Sequence, residues 1–541
     1  MTKLADAPMA HVTKAASRGR TRMPTLTLDD LPNHCPPFWR TVQRIRPLGR
    51  FFNRVLINRA IEVLPERPYR LSTKSDFTTQ DTLVDKTWNC RQLPPADDSE
   101  PRTSPDAREV VTLFRREQFI PCEKSTVLFA YVAQWFTDGF LRSDRTNEAS
   151  DVRDIRRNES THEVDLAQLY GLDDRETNIL RDKRRPILLA HDGEPGEELP
   201  PDLYDADGRR VAQFADLRVV GTRKQDVDNA QLLAMGSDVS NSQIGYSMLN
   251  TLFLREHNRI AREIAGDNPR WSEDRVFHAA RSVLTVMLIR VVIEQYINHI
   301  HPYLFQFRLD PRGFDKRRWM RPNWVAVEFN LLYRWHSLIP DELAVGSQTL
   351  PLAATMFRTK DLLSTHGLAA LVDSASRQPA GRLGLHNTPG VLLERAELPS
   401  IVAGRTVRLR SYNEYRVACG FPRAETYEGI SSNPTTCAAL REVYGDDVDD
   451  LEFYVGLFAE DRRPNSVLPP LIGRLVGLHA FSQLLTNPLF AREIHNEQTF
   501  SARGMQMIDE TRSLADIVAR NIRPGTRMPS VRLTRADWKR V

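Results

Sequence analysis

A tyrosine and a histidine three residues apart in an apolar segment are the first side chains in this sequence suited to redox chemistry. They stand in Glu328-Phe329-Asn330-Leu331-Leu332-Tyr333-Arg334-Trp335-His336-Ser337-Leu338-Ile339-Pro340-Asp341. The apolar spacing predicts a helix, and helix geometry puts such a pair on one face with Cβ atoms ~5–6 Å apart. A redox partner held by His336 would then lie near Tyr333. A histidine in an apolar helix is more often a satisfied core residue than a ligand, so spacing alone leaves both readings open.

The elements that must position this pair are helical. Apolar residues recur at helical steps over Val127–Leu141, Met248–Ile264, Ser272–His299, Trp324–Leu338, Met356–Ser376 and Leu471–Leu485. Alternating strand patterns are scarce and no internal repeat is found, so residues 108–541 read as one large, mainly α domain. Residues 1–36 mix Lys, Arg, Thr, Asp and Pro without periodicity and read as a flexible tail. Residues 72–107, rich in Ser, Thr, Asp and Pro, read as an extended connector.

Composition narrows the class. The 541 residues are 41% hydrophobic and 27% charged, which excludes a disordered or fibrous chain. A net charge of +4 gives no case for a nucleic-acid partner. Residues 37–59 hold Arg40, Arg44, Arg46, Arg50, Arg54 and Arg59 with no acid. Between these lie Phe38, Trp39, Val42, Ile45, Leu48, Phe52, Val55 and Leu56, which makes 37–71 a pair of basic amphipathic helices broken near Pro47 and Gly49. Such helices serve either as a membrane-surface or lipid-collecting element or as ordinary helices packed on the body. Five scattered cysteines argue against a disulfide framework or a zinc site. The absence of a secretory pattern and of a ~20-residue apolar span predicts a cytoplasmic protein, at most peripheral on the inner membrane surface.

The segment around Tyr333 resembles the proximal-haem helix of the cyclooxygenases, the prostaglandin endoperoxide synthases of the animal-type haem peroxidase superfamily. Leu254-Arg255-Glu256-His257-Asn258-Arg259, Val164-Asp165-Leu166 with Tyr170-Gly171, Ser376-Arg377-Gln378-Pro379-Ala380-Gly381-Arg382, Asn413-Glu414-Tyr415-Arg416 and Leu451-Glu452-Phe453-Tyr454 match family motifs in family order. The resemblance implies the family fold, with haem b between a distal and a proximal helix. It also implies His336 as iron ligand and Tyr333 as the radical that removes hydrogen from a fatty acid. The family's counterpart of His257 is structural, and His299, His301 and His479 receive no role.

The distal helix matches Phe129 to Phe140, where Gln134 fits but the family's histidine is Asp138. A peroxidase needs a distal group that takes a proton from peroxide and returns it, which imidazole does near pH ~6.5. A carboxyl would need burial to raise its pKa, and an unneutralised carboxylate would oppose peroxide anion binding. Tyr296 and Tyr303 fall on family tyrosines of the substrate channel and its mouth, and Phe136, Phe140, Phe329, Leu332 and Trp335 supply an apolar wall. Ala480 and Gln483 replace a family Ser and Gly, so the substrate pose or the site of oxygen insertion should differ from prostaglandin synthesis. The carboxylate-binding arginine is Arg59, with Arg54 the alternative. The family's disulfide-rich growth-factor module has no counterpart, which points to an intracellular, bacterial-type relative and leaves dimerisation untransferred.

Three functions follow from the resemblance: a haem dioxygenase taking unsaturated fatty acid and dioxygen, a peroxidase taking peroxide and small reductants, or a catalytically silent haem protein.

Overall fold

The computed structural model describes residues 35–64, 73, 87–97, 104–145, 153–191, 193–194, 196–219 and 227–541. The proposed tail, up to residue 34, and most of the 72–107 connector lie outside them.

Two short helices open the described chain, α1 (Pro36–Arg44) and α2 (Arg46–Glu62), meeting at an extended Ile45. The break falls one residue before Arg46-Pro47, because proline restricts the residue ahead and is at ease in a first turn. The pair presents one face to the body and one outward. Trp39, Val42, Ile57 and Ile61 are buried against the body, whereas Phe38, Ile45, Phe51 and Val55 are exposed on the outside.

The strand Pro121–Thr126 leads into α3 (Val127–Thr137), apolar on nearly every side and therefore buried except at Gln134. Next come α4 (Ile244–Asp267) and α5 (Glu273–Val291), which pack on each other. Ser272 caps α5 by accepting from the Arg275 N–H, and Glu273 and Asp274 favour its positive end. The helix runs on through a π turn, Val292–Ile297, to Ile300. The stretch Glu273–Ile300 is long and apolar enough to cross a membrane, but 83% of its apolar window is buried inside the protein, as a core helix requires.

The helix expected over Trp324–Leu338 is only α6 (Val327–Leu332). Trp335 explains the stop: its indole N–H donates to the Leu332 carbonyl at 2.6 Å, and its backbone N–H to Tyr333 O at 2.9 Å. Both bonds replace helical ones, and the chain resumes as a 3-10 turn at His336–Leu338. Further on lie α7 (Thr359–Arg377), kinked at Gly367 where φ is 71°, α8 (Leu398–Thr406), α9 (Phe453–Ala459), α10 (Pro470–Leu485), α11 (Glu497–Glu510) and α12 (Leu514–Asn521). Among the described residues strands form only two-stranded sheets.

Two long-range ties hold the helices that matter. The connector lies against the start of α6: Cys90 N–H donates to Val325 O, Val327 N–H to Cys90 O, and Gln92 N–H to the Glu328 carboxylate at 2.8 Å. The C-terminal tail returns to the foot of α3, where Thr126 N–H donates to Leu533 O at 3.0 Å and Arg535 N–H to Lys124 O at 2.8 Å.

Candidate active site

Tyr333 is not on a helix face with His336; it caps α6, with φ −91° and ψ 11°, and the two are joined by an irregular turn. The expected i, i+3 geometry is therefore replaced, for the reason given by the Trp335 bonds. What the turn achieves is a sealed phenol. The Tyr333 hydroxyl is buried and completes no hydrogen bond of ordinary geometry, and the same holds for Tyr296. The two phenols nonetheless face one another: burial pushes the Tyr333 hydroxyl above its ordinary pKa, and Tyr296 offsets this in part. Tyr296, on the π turn of α5, is pushed up further by burial and by Tyr333.

The surrounding wall is the one expected. Tyr333 lies 5.3 Å from the Phe329 ring and 4.6 Å from Trp335, between ring centroids. Phe129 stacks on Tyr296 at 5.4 Å and on Trp335 at 5.9 Å, and Phe136 meets Tyr296 at 6.1 Å. Phe140 stacks on Phe329 at 5.9 Å, and Leu332 is buried beside them. Phe329 also stacks on His479 of α10 at 5.0 Å, so α10 closes the far side. Gln483 binds there instead of leaving a gap: its amide donates to the His162 carbonyl and accepts from Asn323 at 3.4 Å.

His336 keeps 20% of its side-chain surface open, and its Nδ1 lies 3.1 Å from the Glu397 carboxylate, the ring being turned off the line of a good hydrogen bond. On α3, Gln134 accepts from Gln243 at 3.0 Å, while the Gln243 carbonyl accepts from Gly245 N–H at the start of α4. Asp138 follows α3 and stays one helical turn from Gln134, its N–H donating to Gln134 O at 3.0 Å. Both are part-exposed. Buried Arg142, paired with Asp238, feels the Asp138 charge, so a cation stands near this carboxylate.

Arg59 is exposed and lines an apolar groove of about 110 Å³ with Tyr303, Leu56, Phe307, Phe481 and Arg474. No acidic side chain lines it. The alternative, Arg54, is instead committed to Asp310 at 2.7 Å. It is held there by attraction across the α2–body interface.

Three other histidines are tied into the packing. His257 accepts or donates with Tyr170 at 2.8 Å, and burial drives its pKa down to about 3. His299 bridges Ser125 at 2.9 Å and Thr534 at 2.8 Å, and His301 bridges Asn298 at 3.0 Å and Tyr303 N–H at 2.9 Å. Sequence reasoning did not single out Glu397, Gln243 or Arg142. Tyr454 stood in a matched motif without a role. Arg142, one turn beyond Asp138, was the one with a spacing signal.

The body is mainly helical, with a histidine and a tyrosine of buried hydroxyl on one turn and Gln134 and Asp138 on a separate helix. Residues 139–531 match the animal haem peroxidase family model, and the chain belongs to that family. It is 30% identical over 491 residues to prostaglandin G/H synthase 1 of Rattus norvegicus, covering 87% of this chain and 77% of that one. To prostaglandin G/H synthase 2 of Bos taurus it is 27% identical over 514 residues, covering 92% and 81%. Solved structures with the same fold include the Oryza sativa fatty acid alpha-dioxygenase (TM-score 0.64, 19% identity, 92% of this chain and 94% of that one). Peroxidase A from Dictyostelium discoideum is another (TM-score 0.67, 19% identity, 83% and 95%). The protein is thus an oxidoreductase of the fatty-acid-oxygenating or peroxide-using kind, with haem iron as cofactor. The residues present fit that group, since the imidazole of His336 is part-open and its Nδ1 lies 3.1 Å from the Glu397 carboxylate, as the outer nitrogen of a metal-binding histidine does.

Proposed function

We propose that the protein is a haem-dependent dioxygenase of unsaturated fatty acids, with Tyr333 as the hydrogen-abstracting residue and His336 as the iron ligand. The observation that carries this is the buried Tyr333 hydroxyl, faced by the Tyr296 hydroxyl inside an aromatic wall, three residues from His336. A phenol walled in by rings can exchange its hydrogen with an apolar carbon, and burial, offset in part by Tyr296, holds its pKa above the ordinary value so that it stays protonated. Haem, when bound, would supply the one-electron oxidant, and Tyr333 gives up its phenolic proton together with that electron to become a tyrosyl radical.

The tyrosyl oxygen then takes an allylic hydrogen, forming its O–H bond and leaving a carbon radical. Dioxygen adds to that carbon, and the peroxyl so formed takes the hydrogen back from Tyr333, giving a hydroperoxide and restoring the radical. Arg59 supplies a guanidinium suited to the carboxylate, and Tyr303 shares its groove. Exposed Phe38, Ile45, Phe51 and Val55 beside the basic residues of α1 and α2 support peripheral contact with lipid.

The test is oxygen uptake by the haem-loaded protein, primed with a trace of peroxide, on polyunsaturated acids and on palmitic acid. Uptake confined to unsaturated acids and lost in Tyr333→Phe is expected. Full turnover in that variant, or oxidation of palmitic acid next to its carboxyl, overturns the reading. A second reading, peroxide reduction, draws support from Gln134 and Asp138 one turn apart with Arg142 behind. Guaiacol oxidation by hydrogen peroxide that vanishes in Asp138→Ala would favour it.

A further inference from the structure

Glu397 ends the π turn Leu393–Glu397 ahead of α8 and is 1% exposed. Its Oε1 lies 3.1 Å from His336 Nδ1 and accepts from the Thr388 hydroxyl at 2.8 Å; its Oε2 accepts from the Tyr454 hydroxyl at 2.5 Å. Among the described residues no lysine or arginine nitrogen lies within 4.0 Å of this carboxylate. A buried carboxylate without a cation must be held by donors, and two hydroxyls hold it, with the imidazole Nδ1 3.1 Å away.

We infer that Glu397 is a positioning residue for the proximal ligand: it fixes the proton of His336 on Nδ1, frees Nε2 for iron, and makes the imidazole a stronger donor. The inference rests on His336 being that ligand. Three facts lead to it. A carboxylate already accepting two O–H bonds offers Nδ1 only an acceptor, so Nδ1 carries the proton. Nδ1 already lies 3.1 Å from Oε1, within hydrogen-bond distance. The hydrogen bond to an anion then pushes electron density toward Nε2, as outer partners of ligating histidines do.

Tyr454 sets the strength of the effect. Its short bond draws charge onto Oε2 and away from Oε1, so removing it should make Glu397 a better acceptor for His336. The two neighbours of one carboxylate are thus expected to act with opposite sign, which a purely structural role does not predict.

The experiment uses the haem-loaded full chain, reading the iron–histidine stretching band of the ferrous form by resonance Raman together with the haem midpoint potential. Glu397→Gln keeps the shape and an acceptor while removing the charge; the band is expected to fall in frequency and the potential to rise. Tyr454→Phe is expected to move both the other way. Band and potential unchanged in both haem-retaining variants overturn the inference, as does a shift of the same sign in both. If Glu397→Gln fails to fold, Tyr454→Phe and Thr388→Val carry the test, each expected to raise the band. His336→Ala that still shows the parent band overturns the ligand assignment itself, and this inference with it.

Discussion

Arg59 and Trp135 show how differently two single side chains contribute. Arg59 sits exposed at the rim of the apolar groove, so Arg59→Gln should leave the fold alone. Losing a charge-assisted contact worth ~1.5–3 kcal/mol raises KM for a free fatty acid by about ten-fold or more. The methyl ester of the same acid should lose little, and oxygen-uptake kinetics on both substrates check this. Trp135 is internal: its indole N–H donates to Asn250 at 2.7 Å and its ring stacks on Phe253 at 4.2 Å. Trp135→Phe strands the Asn250 oxygen and should cost ~1–3 kcal/mol, read as a lower urea midpoint. Tyr333, His336, Gln134 and Asp138 were legible in the sequence because each lies inside a contiguous patterned segment. Glu397 was not, because it meets His336 from another part of the chain and lies between matched motifs, as Gln243 meets Gln134 across 109 positions.

Helices were legible to the extent that their apolar stripes were long. The stripes of α4, α5 and α10 placed them within a few residues. The end of α6 was invisible to such counting, because a local competitor decides it: one indole N–H takes the carbonyl that the next turn needed. Close approach of elements is equally hidden. Gly245 begins α4 against α3, where an added Cβ would lie 2.2 Å from the Tyr131 ring. Gly245→Ala should therefore destabilise by ~1–3 kcal/mol, as overpacking does. It should also disturb the Gln243–Gln134 contact next to it. Thermal melting reads the first effect, and a changed haem absorption band reads the second.

The whole molecule carries a pH dependence set by its buried histidines. His257 is held down to about 3 by burial, reinforced by Arg281, against 6.5 in the unfolded chain. Below about pH 6.5 the unfolded state takes a proton that the folded site refuses, so stability contributed at neutral pH is lost toward pH 3. The slope is ~1.4 kcal/mol per pH unit for one such group. His257→Gln, which keeps a partner for the Tyr170 hydroxyl, removes this linkage. Its deficit against the parent chain should shrink by about that slope between pH 6.5 and 5, measured by urea unfolding at each pH.

The tie between the tail and the foot of α3 has a consequence in time. The Thr126 hydroxyl and N–H meet the Arg532 and Leu533 carbonyls, the latter contact spanning 407 positions of chain. At ~5–20 residues per second, synthesis of that interval takes roughly 20–80 s. The foot of the helix bearing Gln134 is thus made 407 positions ahead of its anchor. Through that interval a ribosome-bound chain carries α3, apolar on nearly every side, with its foot unfastened, which marks this helix as the segment that molecular chaperones would have to shield.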